Sequence, residues 1–243
     1  MKVSVVIPVL NEHNSLPATI SALRVCRLSD SVISQIIVSD GGSTDGTADW
    51  VRAQPDLLLV NSARGKGPQL NAGAARATGD VLLFLHADCA ISQAALDALQ
   101  SALSSDAVGG AFYLRFAESR PRSLRFVAWG INLRARLRGT ATGDQGIFVR
   151  KAVFDSIGGA PDWPLFEDVE LVARIKRAGK FVVLKTPVTV SGRRYIQHGV
   201  LRTALLIYSL RFAYWLGVPP QRLKNWFRDA GQPGKDKPGE DKR

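Results

Sequence analysis

Three carboxylates crowd the stretch Phe166-Glu167-Asp168-Val169-Glu170-Leu171, just ahead of the helix-like run Leu171-Val172-Ala173-Arg174-Ile175. Acids grouped in this way can take a proton from an incoming hydroxyl, because each raises its neighbour's affinity for protons. At helical spacing Glu167, Glu170 and Leu171 share one side, and Asp168 points towards the N-terminal end of the turn. The same acids also suit the positive end of a helix dipole. On these residues alone, a helix cap and a proton acceptor are equally consistent readings.

Other polar clusters sit where apolar strands end. His86-Ala87-Asp88 follows Val81-Leu82-Leu83-Phe84-Leu85, the most apolar run in the chain. An acid and an imidazole two residues apart can reach one exposed ion. One carboxylate with diphosphate oxygens suits magnesium or manganese, and imidazole tilts the choice towards manganese. The plainer alternatives are a strand-end His86 and an Asp88 that caps the helix from Ile91. Arg64-Gly65-Lys66-Gly67 offers close-approach glycines flanked by cations, which suits a diphosphate. It lacks the Gly-Lys-Ser/Thr ending of a triphosphatase loop. Asp40, in Ser39-Asp40-Gly41-Gly42-Ser43, presents a fixed double acceptor to a base or ribose, unless it serves only the geometry of its own turn. Gly143-Asp144-Gln145-Gly146 reads either as a floor on the acceptor side or as a plain turn into a strand.

The elements that must position these groups follow from the apolar pattern. Val3 to Ile7, Val32 to Val38, Leu57 to Val60 and Val81 to Leu85 read as short buried strands, and Gly109 to Phe116, Ile147 to Val149 and Phe181 to Leu184 continue the set. Helical runs at Leu16 to Leu23, Ala48 to Ala53, Ala74 to Ala77, Ile91 to Leu103, Leu124 to Leu137 and Lys151 to Ile157 alternate with them. That order predicts an α/β fold, a mostly parallel central sheet with helices on both faces. Ligands of such sheets bind beyond the carboxyl ends of the strands, so the loops after Ile7 and Val38 are expected side by side.

With 243 residues the chain can bury one sizeable core, and a single domain over residues 1–230 is expected. The segment 231–243, rich in Pro, Gly, Lys and Asp, reads as a disordered tail. A net charge of +11 favours polyanionic partners. Seven arginines against one glutamate fall between Ala111 and Gly139. Cys26 and Cys89 lie far apart without metal-ligand spacing, as suits a reducing, cytoplasmic compartment. Met1 to Pro8 is too soon broken to be a signal peptide.

Taken together, Val6-Ile7-Pro8-Val9-Leu10-Asn11-Glu12, Val38-Ser39-Asp40-Gly41-Gly42-Ser43-Thr44-Asp45-Gly46-Thr47, Gly79-Asp80 to Asp88, and Phe166-Glu167-Asp168 resemble family 2 glycosyltransferases, in order and in spacing. The ending Ser191-Gly192-Arg193-Arg194-Tyr195, followed by an apolar helix, looks like a bacterial subgroup of small single-domain members. The resemblance implies a GT-A (Rossmann-like) fold, a nucleotide-diphosphate-sugar donor carrying UDP or GDP, a divalent metal (Mn2+ or Mg2+) and inversion at the anomeric carbon. It implies that Pro8, Asn11 and Glu12 line the nucleoside pocket, that Asp40 contacts the base, and that Arg64 and Asn71 serve the ribose–diphosphate region. Asp88 corresponds to the last acid of the family's Asp-X-Asp metal turn, whose first acid is here His86. Asp168 is the implied general base, with Glu167 at the acceptor or orienting it, and Arg193 or Arg194 joins Arg64 at the leaving diphosphate. The Gln-X-X-Arg-Trp motif of processive polymerases is absent, and Arg193-Arg194-Tyr195 echoes it only in part, which argues for transfer of a single sugar.

Near the C-terminus an apolar helix spans about residues 198–218, interrupted by Arg202 and Arg211 and so unsuited to cross a bilayer. Peripheral contact with the inner face of the cytoplasmic membrane and packing in a homodimer both fit residues 200–218; the first carries a lipid or lipid-linked acceptor with it. A sugar nucleotidyltransferase would need a Gly-X-Gly-Thr-Arg loop where Val9-Leu10-Asn11-Glu12 stands. A non-catalytic nucleotide-sugar sensor or membrane-surface module would not need Glu167 and Asp168. Nucleic acid is disfavoured, since the aromatics among the arginines fall at core-like spacing.

Overall fold

The computed structural model describes residues 1–29, 32–118 and 120–231. The chain forms two compact units, Met1–Gly192 and a second that begins at Arg193. The first unit is built on one eight-stranded sheet in the order β3-β2-β1-β4-β7-β6-β8-β5. Its strands are β1 (Val3–Val9), β2 (Ile33–Asp40), β3 (Leu57–Asn61), β4 (Val81–Phe84), β5 (Cys89–Ala90), β6 (Ala107–Phe116), β7 (Ile147–Arg150) and β8 (Lys180–Val190). The half from β3 to β4 is parallel throughout. Beyond it β7 runs antiparallel to both β4 and β6, β6 pairs parallel with β8, and β5 antiparallel with β8.

Every residue of β1 is buried, so both faces of the central sheet are covered, as continuous β-branched runs require. On one face Val6, Ile37, Leu82 and Phe84 join Leu70 and Ala74 of α3 (Lys66–Ala75), Phe154 of α6 (Lys151–Ser156), and Leu171, Val172 and Ile175 of α7 (Glu167–Ala178). Each such side chain withdrawn from water is worth roughly 1.5–3 kcal/mol before the entropy of ordering it. Residues one step out of phase point to the other face. There Ile7, Ile36 and Leu83 are wholly buried, as are Leu16 and Ile20 of α1 (Leu16–Ser29) and Leu96 and Leu99 of α4 (Gln93–Leu103). The remaining helices of this unit are α2 (Thr47–Arg52) and α5 (Ser123–Arg138).

Two elements differ from the expectation. The helix expected at Ala74–Ala77 begins already at Lys66, with Gly65 at φ 139° as its cap and Pro68 inside the first turn, where proline loses no helical hydrogen bond. Strand β8 runs on past Leu184 to Val190, because Lys185 and Thr186 bulge out between the pairs Leu184–Phe112 and Pro187–Tyr113. The bulge sits where Pro187 would otherwise break the ladder.

The second unit contains α8 (Arg193–His198), α9 (Val200–Trp215) and α10 (Pro220–Gly231). Helix α9 is the apolar helix expected at about 198–218. Among the described residues no helix is long and apolar enough to cross a membrane. Beyond Gly231, the last residue of α10, the expected tail lies outside the described residues.

Candidate active site

The loops after β1 and β2 do lie side by side, and hydrogen bonds lock them together. Asn11, at φ 58°, donates its backbone N–H to Ser43 Oγ at 2.9 Å and accepts from Thr44 N–H at 2.8 Å through Oδ1. Glu12 N–H reaches Thr47 Oγ1 at 3.0 Å, and His13 N–H reaches Asp45 Oδ2 at 3.0 Å. Asp40 is buried and accepts from Gly42 N–H, Ser43 N–H and the Ser43 hydroxyl. Its carboxylate closes its own turn. Behind these loops the buried Gln69 donates from Nε2 to Val9 O at 2.6 Å and Ser39 O at 2.9 Å, tying the ends of β1 and β2 to α3.

Asn71 also serves the scaffold rather than an open pocket. Its side chain exchanges two hydrogen bonds with the backbone of Ala160, both at 2.8 Å. Arg64 stands exposed just before α3. Lys66, at the first turn of that helix, lines a small pocket with Pro8, His86, Gly143, Glu167 and Asp168. Gly67 follows, and a Cβ there would lie 2.1 Å from Pro161 O, so no larger residue lets α3 approach the segment that leads into the acids.

That segment turns into α7 through Phe166, a buried residue at φ 64° whose backbone conformation costs of order 1–3 kcal/mol. Past this turn both Glu167 and Asp168 reach the pocket. Glu170 does not stay with Glu167 as the helical spacing implied, because its carboxylate pairs with Arg174 at 3.1 Å and Arg177 at 3.0 Å. Asp168 Oδ2 accepts the Gly143 N–H at 2.7 Å, and Oδ1 accepts from Val169 N–H at 2.7 Å. Burial pushes the Glu167 carboxyl pKa up, the neighbouring Asp168 charge adds to the rise, and Lys66 offsets part of it. Lys66 Nζ stands 3.9 Å from Glu167 Oε1 and its side chain is half exposed. Desolvation works against its charge, yet the fields of Glu167, Asp144, Asp168 and Asp88 outweigh that and raise its pKa.

The turn at Gly143–Gln145 is a single 3-10 turn closed by a capping box between Thr142 and Gln145. Asp144 Oδ1 lies 2.9 Å from His86 Nδ1, and Lys66 Nζ lies 3.5 Å from His86 Nε2. These partners assign the proton to Nδ1 and engage both ring nitrogens. Asp88 is exposed in the turn after β4, two residues beyond His86. Among the described residues no three His, Cys, Asp or Glu side chains group to hold a metal ion. Asp88 is the exposed carboxylate of that turn, and His86 already has Asp144 and Lys66 beside its ring nitrogens.

Pro8, Glu167, Asp168 and His86 thus meet in one pocket, while Asn11, Asp40 and Asn71 brace its surroundings. Arg193 and Arg194 open α8 in the second unit. Sequence reasoning named the loops that carry Lys66 and Asp144 but assigned the diphosphate to Arg64 and gave Asp144 no role of its own. The signal for Lys66 was the pair of glycines around it; nothing local distinguished Asp144 within its turn.

The pattern of glycosyl transferase family 2 matches residues 4–156. An undecaprenyl-phosphate 4-deoxy-4-formamido-L-arabinose transferase of Yersinia pestis is 36% identical over 94 residues, covering 36% of this chain and 29% of that protein. The chain thus matches under a third of the length of that relative. Among solved structures, the mannosyltransferase PcManGT of Pyrobaculum calidifontis, in complex with GDP-Man and Mn2+, superposes with a TM-score of 0.62 at 22% identity, over 95% of this chain and 69% of that one. S. aureus TarS 1-349 in complex with UDP-GlcNAc gives 0.62 at 18% identity, over 84% and 65%. Glucosyl-3-phosphoglycerate synthase of Mycobacterium tuberculosis, with Mg2+ and UDP, gives 0.56 at 21%, over 78% and 70%. The fold is that of the GT-A glycosyltransferases.

Proposed function

The chain belongs to glycosyl transferase family 2, and from that premise we propose that it moves one sugar from a UDP- or GDP-sugar to an acceptor hydroxyl with inversion, using Asp168 as the general base. Transfer of sugar from a nucleotide sugar is the activity of the family; the base, the stereochemistry and the metal are the proposal. The observation that carries it is the pocket in which Asp168 and Glu167 face Lys66 and Pro8. The acceptor oxygen attacks the anomeric carbon from the side opposite the diphosphate, its proton passes to Asp168, and the bond to the diphosphate oxygen breaks. Gly143 N–H fixes one oxygen of the base, which leaves its direction set before substrate arrives.

Lys66, at the N-terminal turn of α3, faces the negative charge that grows on the leaving diphosphate, in the position sequence reasoning gave to Arg64. Glu167, with its raised pKa, orients the acceptor as a hydrogen-bonding partner beside the base. Asp88 is the residue that would hold Mn2+ or Mg2+ with the diphosphate oxygens, where the ion supplies positive charge against the leaving group. The name of the undecaprenyl-phosphate relative supports a lipid or lipid-linked acceptor here, reached by peripheral contact with the cytoplasmic membrane. Residues 1–230 are proposed to work as one glycosyltransferase domain.

Thermal stability against a panel of nucleoside diphosphates, with and without manganese, tests the reading. Ligand bound to the folded state raises the midpoint by mass action. A rise with UDP or GDP that needs metal and disappears in Asp88→Ala is the expected result. No rise with any nucleotide removes the donor site.

A further inference from the structure

Helix α5 carries a face that the transfer chemistry does not use. Its inner side buries Leu124 and Ala135, and Asn132 of the same helix hydrogen-bonds the backbone of Leu114 in β6 at both ends of its amide. On the opposite side Phe126, Trp129, Leu133 and Leu137 are exposed, three of them by 65–75%. At 3.6 residues per turn these four fall within about 80° of one another, a continuous apolar stripe turned outward. Arg125 and Arg136 flank it on one side and Arg138 on the other, while the Arg134 guanidinium is largely buried, and the helix contains no acidic residue. Among the described residues no carboxylate pairs with Arg125, Arg136 or Arg138.

Beside the stripe a groove of about 300 Å³ opens between α5 and β6. Trp129 belongs to both, and Leu114, Phe116 and Ala128 line the groove together with Arg115 and Arg125. Its acid, Glu118, is already engaged by Gly192 N–H at 2.7 Å and Ser191 Oγ at 3.1 Å. Apolar surface edged by guanidinium groups is the pattern of a helix that lies in a bilayer interface, with rings at the acyl boundary and cations reaching the phosphates.

We propose that α5 docks the protein on a membrane surface rich in anionic phospholipid, with Phe126, Trp129, Leu133 and Leu137 entering the interface. Charge selects this occupant. A second copy of a chain carrying +11 would bring two arginine-edged stripes together, whereas a phospholipid surface supplies the opposite sign. The docking concerns α5 alone, apart from the expectation for residues 200–218, and it stands independently of the transfer reading.

Co-sedimentation of the full chain with vesicles tests it at low salt, comparing phosphatidylcholine alone with an equal mixture of phosphatidylcholine and phosphatidylglycerol. Binding to the mixed vesicles is expected at least tenfold tighter than to phosphatidylcholine, weakening as salt rises. Trp129→Ser with Leu133→Ser should lower it at least tenfold, and Arg125→Glu with Arg136→Glu should abolish the preference for phosphatidylglycerol. Both pairs are exposed or nearly so, and an unchanged circular dichroism spectrum and nucleotide response confirm that fold and donor site persist. Wild-type binding by both double variants overturns the proposal. So does the absence of vesicle binding, and so does a dimer that the serine variant dissociates while vesicle binding stays intact, since the stripe then belongs to a second copy.

Discussion

Around Asn11, Asp40 and Asn71 the polar groups are answered by the protein itself: Asn11 by the Ser43–Thr44 backbone, Asp40 by its own turn, Asn71 by Ala160. Around Glu167 and Asp168 the balance differs: Asp168 accepts from two backbone N–H groups but still faces the pocket. Two acids share a pocket with one ammonium and one imidazole, and burial raises rather than lowers the pKa of Glu167. Family motifs fall in both regions, yet one does its work by hydrogen bonds that hold loops in place and the other by charges left facing a cavity.

The sharpest break of that contrast is Asp168→Asn. The amide can still accept from Gly143 N–H, so the thermal midpoint should stay near wild type while kcat falls by about 10³-fold, in the range general-base removal produces. Activity within a few-fold of wild type would place the base elsewhere. Lys66→Met should come next, lowering kcat by roughly 10²-fold through lost stabilisation of the leaving group. Arg64→Met, the exposed neighbour, provides the control, and an equal loss there would return the role to Arg64.

Asn71→Ala belongs to the braced side and should behave oppositely. It orphans the Ala160 N–H and C=O, a cost of about 1–3 kcal/mol read in a denaturant melt, with nucleotide affinity of the folded fraction little changed. The smallest effect is a dependence on pH. Glu167 has its folded pKa raised above the ordinary 4.5, so the folded state binds the proton more tightly than the unfolded one. Its contribution to stability is complete below the unfolded pKa and is lost as pH rises through the folded value. Glu167→Gln should accordingly gain in midpoint over wild type as pH rises from 4 to 8, and a difference that is flat across that range would show that burial does not set this carboxyl's affinity.

How far the sequence alone led follows the same division. Largely apolar runs located β1, β2 and β4, because burial on both faces leaves few polar residues to blur the pattern. The acids at Glu167 and Asp168 were visible as an unusual density of charge. What stayed hidden depended on distant partners. Nothing local to Asn71 announces a bond to Ala160, 89 residues on, and nothing near Asp144 announces His86. The start of α3 was masked by Gly65, Gly67 and Pro68, residues that ordinarily end helices, and the length of β8 by a bulge and Pro187 that only its pairing with β6 reveals. The outward stripe on α5 was read as core because its spacing is that of a core helix; only exposure tells the two apart.

The contact between Gly67 and Pro161 sets a limit on what the pocket can accept. With no room for a methyl group between them, the turn that carries Lys66 and the segment that delivers Asp168 can come no closer together. If Lys66 and Asp168 act as proposed, the span between leaving group and base has a floor below which it cannot close. New acceptor preferences should then arise from changes at its rim, with that floor untouched.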